Sequence, residues 1–596
     1  MCGIFGIIDK KESKLGETLI EACKRLSYRG YDSVGCATMN EKWEIDLRKD
    51  VGKVEEVAKK LSFSEMKGFL GMAQLRWATF GAPSQANAQP HFDSEKKLVG
   101  AHNGNVVNNI QLREMFIKEG MVVRSTNDGE SCVHSVEYFI KKGFETEEAV
   151  RKATTLLEGD YAFLVARKGE KKIYAVKKGS GLVVGIGEKG NYVSSDLPSL
   201  LFLTRKIIRV EDGEMAILDP QNVTIKNIDD GKVVEREWEE VKEEMESAKK
   251  GGFPHFMIKE IYEQPKVSSD LLHLLNASPL VDKFVDKLKK ARNIYFIGCG
   301  TSYHACLFGS VAFAQHSKRA AIPVLAPQFV PQFLPTVNEK DVGVFVSQSG
   351  ETKDVLKAIE FAKEKRMQIL GIVNVLGSTL MKLSDVYLPL ACGYEISVPA
   401  TKTFSNQALI FLYLSLRMNG AVQDRLKDFP KAIEKAIYES EKHIKDLIPL
   451  INNHDEYYCL GYGFTYPIAL EGALKIKEVT YSHCEGMLST EFKHGPLSSV
   501  KENYPVIFVV SKEDISVALS GINEVSCRGG NTIVISSDDE RLKLNSKKII
   551  PIPDCDDLFF PLISVVPLQL LAYYESIERG FDPDFPRNLS KTLTVD

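Results

Sequence analysis

The sequence predicts an α/β protein of several domains, whose C-terminal half holds two copies of one parallel-sheet domain. At 596 residues the chain exceeds what a single hydrophobic core supports. Two glycine turns that follow apolar strands, at Gly298 and Gly461, lie 163 residues apart (461 minus 298). A second strand recurs at an offset of 164 (506 minus 342), Val342 to Ser347 against Val506 to Ser511. Such self-similarity indicates a repeat, and apolar strands that alternate with amphipathic helices are typical of parallel sheets covered on both faces.

The composition excludes several classes of protein. It is that of an ordinary globular chain, 44% hydrophobic and 26% charged, and a net charge of −4 provides no basic surface for nucleic acid. No uninterrupted apolar run approaches the ~20 residues that span a bilayer, and the N-terminus does not resemble a secretory signal. The 11 cysteines include no C-x-x-C pair, which argues against a disulfide framework or a zinc site. We therefore expect a cytoplasmic protein with no nucleic-acid or membrane partner and with reduced cysteines.

The N-terminus places a nucleophile at the second position. Removal of Met1 would leave Cys2 with a thiol of pKa near ~8.5 and a free α-amine of pKa near ~8, so the amine could act as the base for the thiol. The apolar run from Ile4 to Ile8 predicts a buried strand behind it. The alternative is an ordinary small core cysteine.

Four polar segments in the first 240 residues supply further chemistry. They are a loop from Ser27 to Gly35, Arg76 to Gly81 after a predicted strand from Phe69 to Gln74, an Asn-Gly turn within Ala101 to Asn105, and a cap from Ser125 to Glu130 before a predicted helix from Ser131 to Ile140. Each alone has a structural interpretation as a surface loop, an ion-paired arginine, a hairpin turn or a helix cap. Together they match the hydrolysis of an amino-acid amide. Arg76 could hold a carboxylate, Asp128 an ammonium, and Asn103 with Gly104 a tetrahedral oxyanion.

These segments resemble the glutaminase domain of the N-terminal-nucleophile amidotransferases (class II). The motifs that carry the resemblance are Cys2-Gly3-Ile4-Phe5-Gly6, Tyr28-Arg29-Gly30-Tyr31-Asp32-Ser33, Arg76-Trp77-Ala78-Thr79, His102-Asn103-Gly104 and Asp128. The resemblance implies an αββα sandwich over residues 1–240, in which Cys2 forms a glutamyl thioester and Asn103 and Gly104 form the oxyanion hole. It further implies that Arg76 and Asp128 hold the α-groups of glutamine and that Trp77 gates an ammonia channel. Phe80 and Gln89 stand where the family commonly has histidine, which affects the expected control of glutamine affinity.

A charged segment separates the two halves of the sequence. Residues 226–250 are strongly charged and helical in composition, and Gly251 to His255 break that pattern. We predict a linker over residues 241–269, a first α/β domain over 270–425, a second over 426–580, and a C-terminal tail over 581–596.

The first α/β repeat carries a polar loop suited to an anion. Ser347, Gln348, Ser349 and Thr352 follow a predicted buried strand and open a helix near Lys353. Free backbone N–H groups and hydroxyls at such a position suit a phosphomonoester, although a simple helix cap is the alternative. Ser302 and the loop from Val398 to Thr401, which includes Ala400, would complete the pocket at the carboxyl ends of the strands. The G-x-G pairs lack the third glycine of a dinucleotide site, and no Walker A motif is present.

The second repeat and the tail carry residues suited to acid–base chemistry. Glu471, Lys475 and Glu478 lie on one helical stripe, either as a surface ion pair or, given their apolar neighbours, as a buried or cleft-lining stripe. His494 lies on a Gly-Pro turn, and the apolar tail that carries Lys591 is expected to dock rather than fray.

Residues 270–596 resemble tandem sugar-isomerase (SIS) α/β/α domains, and the whole chain is similar to the isomerizing glutamine–fructose-6-phosphate transaminases. The strings that carry this resemblance are Gly298 to Ser302, Ser347 to Thr352, Ala469 to Glu478, Lys493 to Pro496 and Pro586 to Lys591. It implies that fructose 6-phosphate and glutamine become glucosamine 6-phosphate and glutamate, for amino-sugar (UDP-N-acetylglucosamine) synthesis. No metal or organic cofactor is implied, and a homodimer is expected.

The resemblance also implies a role for each residue of the sugar site. Ser302, Ser347, Gln348, Ser349 and Thr352 would hold the phosphate and hydroxyls, with Val398 and Ala400 beside them. His494 would open the sugar ring from a neighbouring subunit, and Lys591 would form a Schiff base at C2. Glu478 would move the proton between C1 and C2, Lys475 would stabilise negative charge, and the role of Glu471 stays open. Two other functions remain open, an amidotransferase for another keto-sugar phosphate and a non-catalytic sugar-phosphate sensor.

Overall fold

The computed structural model describes residues 2–27, 30, 32–78, 80–241, 250–420 and 425–591. Its residues fall into two compact units, one that ends before residue 246 and one that runs from there to residue 591.

Unit 1 is built from two stacked antiparallel sheets. Its strands are β1 Gly3–Lys14, β2 Ser33–Met39, β3 Ile45–Val51, β4 Lys67–Arg76, β5 His91–Phe92, β6 Leu98–Val106, β7 Gly159–Arg167, β8 Ile173–Lys178, β9 Val183–Ile186, β10 Gly190–Ser194, β11 Lys206–Arg209, β12 Glu214–Leu218, β13 Val223–Asn227 and β14 Glu239–Glu240. The eight-stranded sheet has the order β14-β11-β9-β10-β1-β4-β2-β3, and the six-stranded sheet the order β13-β12-β8-β7-β6-β5.

Helices cover the outer face of each sheet of unit 1. They are α1 Gly16–Leu26, α2 Val54–Lys60, α3 Asn109–Lys118, α4 Asp128–Lys141 and α5 Thr146–Ala153. One apolar core, with Ile4, Met72 and Leu164, lies between the sheets. A second core, with Phe116 and Val133, lies between the six-stranded sheet and helices α3 to α5. The predicted αββα sandwich is confirmed, as are the buried strand after Cys2 and the strand before Trp77.

Unit 2 contains two five-stranded parallel sheets. Its strands are β15 Ile294–Gly298, β16 Ile322–Leu325, β17 Val342–Ser347, β18 Gln368–Val373, β19 Val386–Pro389, β20 Glu456–Gly461, β21 His483–Leu488, β22 Pro505–Val510, β23 Asn531–Ser536 and β24 Lys548–Pro551. The orders are β16-β15-β17-β18-β19 and β21-β20-β22-β23-β24, which are the same topology twice. The repeat and the parallel-sheet fold class are therefore confirmed.

Helices of unit 2 pack on both faces of these sheets. They are α6 Phe256–Ala277, α7 Pro279–Lys290, α8 Thr301–Ala312, α9 Ala326–Gln332, α10 Lys353–Glu364, α11 Thr379–Leu383, α12 Lys402–Arg417, α13 Phe429–Ile451, α14 Thr465–Thr480, α15 Ile515–Ser526, α16 Glu540–Asn545, α17 Phe560–Ile563 and α18 Val565–Glu578. One apolar core joins helices such as α6, α12 and α18 to strands of both sheets. By length and composition residues 560–578 could cross a bilayer, but 89% of that apolar window is buried inside the protein, as in a core helix.

Two predictions about local structure are wrong. The Asn103-Gly104 pair does not form a turn, because it lies inside β6 and pairs with β7. Gly104 does have a positive φ of 106°, and a Cβ there would lie 2.1 Å from the Asp160 carbonyl oxygen. Residues 226–241 form no helix. Their first two residues belong to β13, a turn follows, and Glu239–Glu240 pair with β11 as β14, with the ion pairs Arg209–Glu239 and Arg236–Glu214 beside them. Residues 242–249 lie outside the described residues.

Candidate active sites

Cys2 lies at the edge where β1 and β4 run side by side. Gly3 pairs with Leu75, which brings Cys2 next to the end of β4. Its Sγ lies 3.4 Å from the backbone N–H of Trp77, from which it accepts a hydrogen bond, and 3.5 Å from the carbonyl oxygen of the same residue. Burial raises the pKa of the Cys2 thiol above its usual value. The buried thiol therefore needs a nearby base, the role that a free α-amine at Cys2 would fill.

Arg76, the last residue of β4, is fully buried and shapes the loop that follows. Its guanidinium donates to the carbonyl oxygens of Phe80, of Gly81 at 2.6 Å and of Ala82 at 3.5 Å. Its Nε has no hydrogen-bond partner among the described residues. A carboxylate that binds here, as predicted for glutamine, would have to use Nε or replace some of these loop carbonyls.

Asp128 and the β6 segment meet at the start of α4. The Asn127 side chain caps α4 by accepting from the Gly129 N–H at 3.0 Å, as the predicted cap requires. The Asp128 carboxylate accepts from the Val106 N–H at 3.0 Å and lies 3.8 Å from Nε2 of His102. Because His102 is buried, its pKa is lowered. A neutral His102 leaves the negative charge of Asp128 available for a cationic ligand.

The predicted oxyanion donors lie in the same strand, and the structure links that strand to the sheet of Cys2. The buried Asn103 has an Oδ1 with no hydrogen-bond partner in the described part of the chain. The Gln74 side chain, on β4, donates to the His102 carbonyl oxygen at 3.4 Å across the two sheets. Both Cys2 and the Asn103-Gly104 pair therefore lie close to the interface between the sheets. After burial, smaller effects on the pKa of the Cys2 thiol come from the charge of Asp128, which raises it, and that of Arg76, which lowers it. The three groups therefore lie in one region.

Gln89 was predicted only as a departure from the family, yet it contacts this strand directly. Its side chain accepts from the His102 N–H at 2.7 Å and donates to the His102 carbonyl oxygen at 3.3 Å. Gly129 lies against this amide, and a Cβ there would lie 2.7 Å from the Gln89 Oε1 and displace it. On the other side, the Lys49 ammonium donates to the carbonyl oxygens of Ala88 at 2.5 Å and Pro90 at 3.0 Å.

In unit 2 the predicted polar loop lies between β17 and α10. The Ser347 Oγ accepts from the Gly350 N–H at 3.0 Å and lies 2.9 Å from the Thr352 Oγ1. The Ser349 Oγ accepts from the Glu351 N–H at 3.1 Å. Helix α10 begins at Lys353, as predicted. The hydroxyls hold a tight turn at a helix N-terminus, where backbone N–H groups favour an anion.

Ser302 lies at the same edge of the first parallel sheet. Strands β15 and β17 are adjacent, so the turn after Gly298 and the loop after Ser347 emerge side by side. Ser302 accepts a hydrogen bond from the Gln407 side chain at 3.1 Å. The Gln348 carbonyl oxygen accepts from the Asn374 N–H at 3.2 Å, beyond the end of β18. The structure therefore brings Ser302 and the Ser347–Thr352 loop to one edge.

On the predicted stripe of α14, Glu471 and Lys475 are buried and Glu478 is partly exposed. Lys475 lies between two carboxylates, with its Nζ 2.5 Å from Glu478 and 3.3 Å from Glu471. Burial opposes the charge of Lys475, but the two carboxylates raise its pKa. Burial raises the pKa of Glu478, whereas the positive charges of Lys475 and Lys591 oppose that shift. A carboxyl group with a raised pKa is suited to moving a proton.

Glu471 connects this stripe to the other repeat. Its carboxylate accepts from the Thr301 Oγ1 at 3.0 Å and lies 2.7 Å from Nδ1 of His304. Lys475 also donates to the Thr301 Oγ1 at 3.2 Å. Because Thr301 is next to Ser302, the stripe lies beside the phosphate loop edge. Sequence reasoning left Glu471 without a role and missed Thr301 and His304.

Lys591 docks onto a buried carboxylate that the sequence did not indicate. Its Nζ lies 2.5 Å from Oε2 of Glu395. Burial disfavours a charge on Glu395, but the charge of Lys591 and several hydrogen bonds hold its pKa below the usual value. The only sequence signal was an acidic residue in an otherwise uncharged run, from Leu388 to Ala400, before a buried helix.

Three hydrogen bonds of Asp584 help to hold the segment before Lys591. The Asp584 carboxylate accepts from the backbone N–H groups of Phe256 and Met257, both at 2.8 Å, at the start of α6. The Asp584 carbonyl oxygen accepts from the Val398 N–H at 2.9 Å. Val398 is buried and the nearby Ala400 is partly buried. The expected docking of the tail is confirmed up to Lys591, and residues 592–596 lie outside the described residues.

His494 is separate from these groups within one chain. It ends the short 3₁₀ helix Phe492–His494 and is exposed. Within the described ranges, no hydrogen bond or ion pair links its side chain to the polar loop, the α14 stripe or Lys591. This exposed position is compatible with a role in a neighbouring subunit.

Comparison with known proteins finds a matching family for each half of the chain. The SIS domain family matches residues 287–417 and 450–579, and the family described as a glutamine amidotransferase domain matches residues 75–201. Glutamine–fructose-6-phosphate aminotransferase (isomerizing) of Thermococcus kodakarensis is 38% identical over 609 residues and covers 100% of both chains. The protein of the same name from Pyrobaculum aerophilum is 39% identical over 610 residues, again with 100% of both chains covered.

A solved structure agrees with these relatives. The C-terminal domain of glucosamine-fructose-6-phosphate aminotransferase from Francisella tularensis is 30% identical, with a TM-score of 0.52, and covers 56% of this chain and 99% of that chain. The identity of the relatives extends over the full length of this chain, through both the glutaminase-like unit and the two parallel sheets. The chain belongs to the family of isomerizing glutamine–fructose-6-phosphate aminotransferases.

Proposed function

We propose that the chain converts D-fructose 6-phosphate and L-glutamine to D-glucosamine 6-phosphate and L-glutamate. Glutamine is hydrolysed at Cys2 of unit 1, and the ammonia that it releases replaces the C2 oxygen of the ketose in unit 2. A proton then moves from C1 to C2, which converts the aminated ketose to the amino aldose. The relatives' names and the two families that match support this reaction.

In unit 1 the proposal rests on the environment of Cys2. The thiol attacks the glutamine amide carbon, the α-amine of a processed Cys2 takes up the thiol proton and passes it to the amide nitrogen, which leaves as ammonia. Water then hydrolyses the thioester and releases glutamate. Asn103 and the Gly104 N–H stabilise the oxyanion, while Arg76 and Asp128 hold the α-carboxylate and α-ammonium. Trp77, whose backbone contacts the Cys2 sulfur, is proposed as the gate for ammonia.

In unit 2 one observation carries the proposal, the buried Lys475 held between Glu471 and Glu478 beside the Ser302 edge. A phosphate-binding loop alone would serve a sensor equally well. A carboxyl of raised pKa next to a buried lysine is the arrangement expected for proton transfer between two carbons. Ser302, Ser347, Gln348, Ser349 and Thr352 bind the phosphate and hydroxyls, and Lys591 forms the Schiff base at C2.

The exposed His494 supports a homodimer. We propose that it opens the sugar ring in the site of a second copy of the chain, because the histidine that contacts the α14 stripe in the described part of this chain is His304, and Glu471 already holds it. We further propose that the protein works in the cytoplasm, where it supplies amino-sugar synthesis. The proposed domain limits are 1–240 for the glutaminase domain, 270–425 and 426–580 for the two SIS domains, with a linker over 241–269 and a tail over 581–596.

A test that separates this function from its alternatives is mass analysis of the products. With glutamine and fructose 6-phosphate, we expect glutamate and a hexosamine phosphate in equal amounts. If an amino sugar formed only from another keto-sugar phosphate, that compound and not fructose 6-phosphate would be the substrate. Binding of sugar phosphate without any turnover, and without faster release of glutamate from glutamine, would indicate the sensor.

A further inference from the structure

Glu395 is a buried carboxylate whose lone pairs are all directed to donors. Its Oε1 accepts from the N–H groups of Thr401 at 3.0 Å and Thr403 at 3.1 Å, at the N-terminus of α12. Its Oε2 accepts from the Thr403 Oγ1 at 2.7 Å and from the Lys591 Nζ at 2.5 Å. A helix N-terminus and four donors stabilise a carboxylate in its charged form. Glu395 therefore presents a fixed negative charge to the end of the Lys591 side chain.

The other ionisable groups around this pair each have a closer contact or a shifted pKa of their own. Lys402 lies 2.8 Å from Glu263 and also donates to the Tyr394 carbonyl oxygen. Burial raises the pKa of Glu260, on α6, to about 8, so this carboxyl is mainly protonated at neutral pH. Glu478 on α14 is paired with Lys475. Glu395 is thus the carboxylate that balances a positive charge at the Lys591 nitrogen.

A Schiff base at Lys591 would keep that charge. When the ammonium of Lys591 condenses with the C2 carbonyl, the N–C2 bond forms and the C2–O bond breaks. Two of the three ammonium protons leave with the carbonyl oxygen as water, and the third stays on the nitrogen. The iminium that results carries the same single positive charge as the ammonium.

We propose that Glu395 is the counter-ion of the protonated Schiff base at Lys591, an inference that rests on the proposed function. Its carboxylate holds the ammonium before condensation and stabilises the iminium afterwards. The iminium keeps C2 electrophilic, so ammonia adds there and the Lys591 amine leaves. Glu478 then moves the C1 proton to C2 of the resulting imine. Glu395 touches the reacting nitrogen and so counts as a catalytic residue.

The test uses the full-length protein with fructose 6-phosphate and cyanoborohydride, which reduces an iminium to a stable amine. Mass analysis then measures the fraction of chains with sugar attached to Lys591. For the isosteric Glu395→Gln, which keeps acceptors for the two threonine N–H groups, we expect that fraction to fall at least ~10-fold. Because breaking a buried pair leaves an uncompensated charge, amino-sugar formation should fall ~100-fold or more. The matched control is Glu260→Gln, which replaces a carboxyl that is already mainly neutral and should trap like the wild type at pH 7.

A second variant separates a counter-ion from a purely structural anchor of the tail. In Glu395→Ala, added formate should restore trapping, because it brings back a negative charge. Formamide has the same shape without the charge, and it should restore nothing. Equal rescue by formate and formamide would show that Glu395 only anchors the tail.

The outcomes also separate this inference from the proposed function. Wild-type protein that forms amino sugar but never traps at Lys591 would overturn the Schiff base itself. Normal trapping in Glu395→Gln, with wild-type trapping intact, would overturn the counter-ion and leave the proposed reaction in place.

Discussion

The side-chain amide of Gln89 pairs with the backbone of His102 as a neighbouring strand would, because it accepts from the N–H at 2.7 Å and donates to the carbonyl oxygen at 3.3 Å. The residue after His102 is Asn103, the proposed oxyanion donor. Gln89 is buried, and its own backbone segment is held by the Lys49 ammonium. The contact therefore holds in place the part of β6 that carries the proposed oxyanion donors.

Replacement of Gln89 by leucine should weaken unit 1 and slow glutamine hydrolysis. The His102 N–H would be left buried without a partner, so we expect a loss of about 2–3 kcal/mol in the free energy of unfolding of unit 1. Urea titration with glutaminase activity as a second readout measures both effects. The exposed Gln221→Leu is the control in the same unit, and a Gln89→Leu protein as stable and active as that control would contradict the role of Gln89.

Replacement of Cys2 by alanine should abolish glutamine use and spare the chemistry of unit 2. We expect glutamate release to fall by at least about a thousandfold, since a nucleophile cannot be replaced by its neighbours. Conversion between fructose 6-phosphate and its aldose, followed by mass analysis and sugar assay, should persist. Glutamate release that continues in this variant would remove Cys2 from the mechanism.

The raised pKa of Glu260 predicts a pH dependence of stability. Between its usual value and about 8, the folded protein holds a proton that the unfolded chain has released. The free energy of unfolding should therefore decrease as pH rises from 5 to 8, by up to about 1.4 kcal/mol per pH unit. Glu260→Gln binds no proton there, so the difference between wild type and variant, measured by denaturant titration at pH 5.5 and 7.5, isolates this effect. A difference that stays constant with pH would exclude it.

Mixed dimers should show whether His494 acts across a subunit interface. His494→Asn and Lys591→Arg chains should each be inactive in amino-sugar synthesis. When they are unfolded together and refolded as a 1:1 mixture, half of the dimers are mixed and each has one complete site. We then expect about a quarter of wild-type activity, by the counting of randomly paired subunits. Refolding each variant alone is the control, and a mixture with no activity would place His494 in its own chain's site.

The sequence predicted the repeat, the strands β15 and β17, and the start of α10 at Lys353, because these features depend on local apolar runs and turn residues. It was wrong where long-range pairing overrides local preference. Asn103-Gly104 is a common turn pair, but nine consecutive pairs with β7 make it part of a strand. The charged residues from 226 to 241 favour a helix by composition, yet the last of them pair with β11 at the edge of a sheet.

The groups that the sequence missed owe their chemistry to distant partners. Glu395 is paired with a lysine 196 positions away, and His304 with Glu471 at a separation of 167. Contacts between residues so far apart produce no periodic pattern in the sequence. By contrast, Glu471, Lys475 and Glu478 were found because they lie on one face of a single helix. Only the fold shows that this face is buried.

The contact of Asp584 with the N-terminus of α6 joins residues 328 positions apart. That contact, together with the Val398 N–H, positions the segment that carries Lys591. During synthesis on the ribosome, α6 emerges long before Asp584 exists. Unit 1 can fold as soon as its own residues are free, as domains do during translation. The proposed sugar site, in contrast, needs Asp584 and Lys591, so a product truncated before these residues would consume glutamine without making an amino sugar.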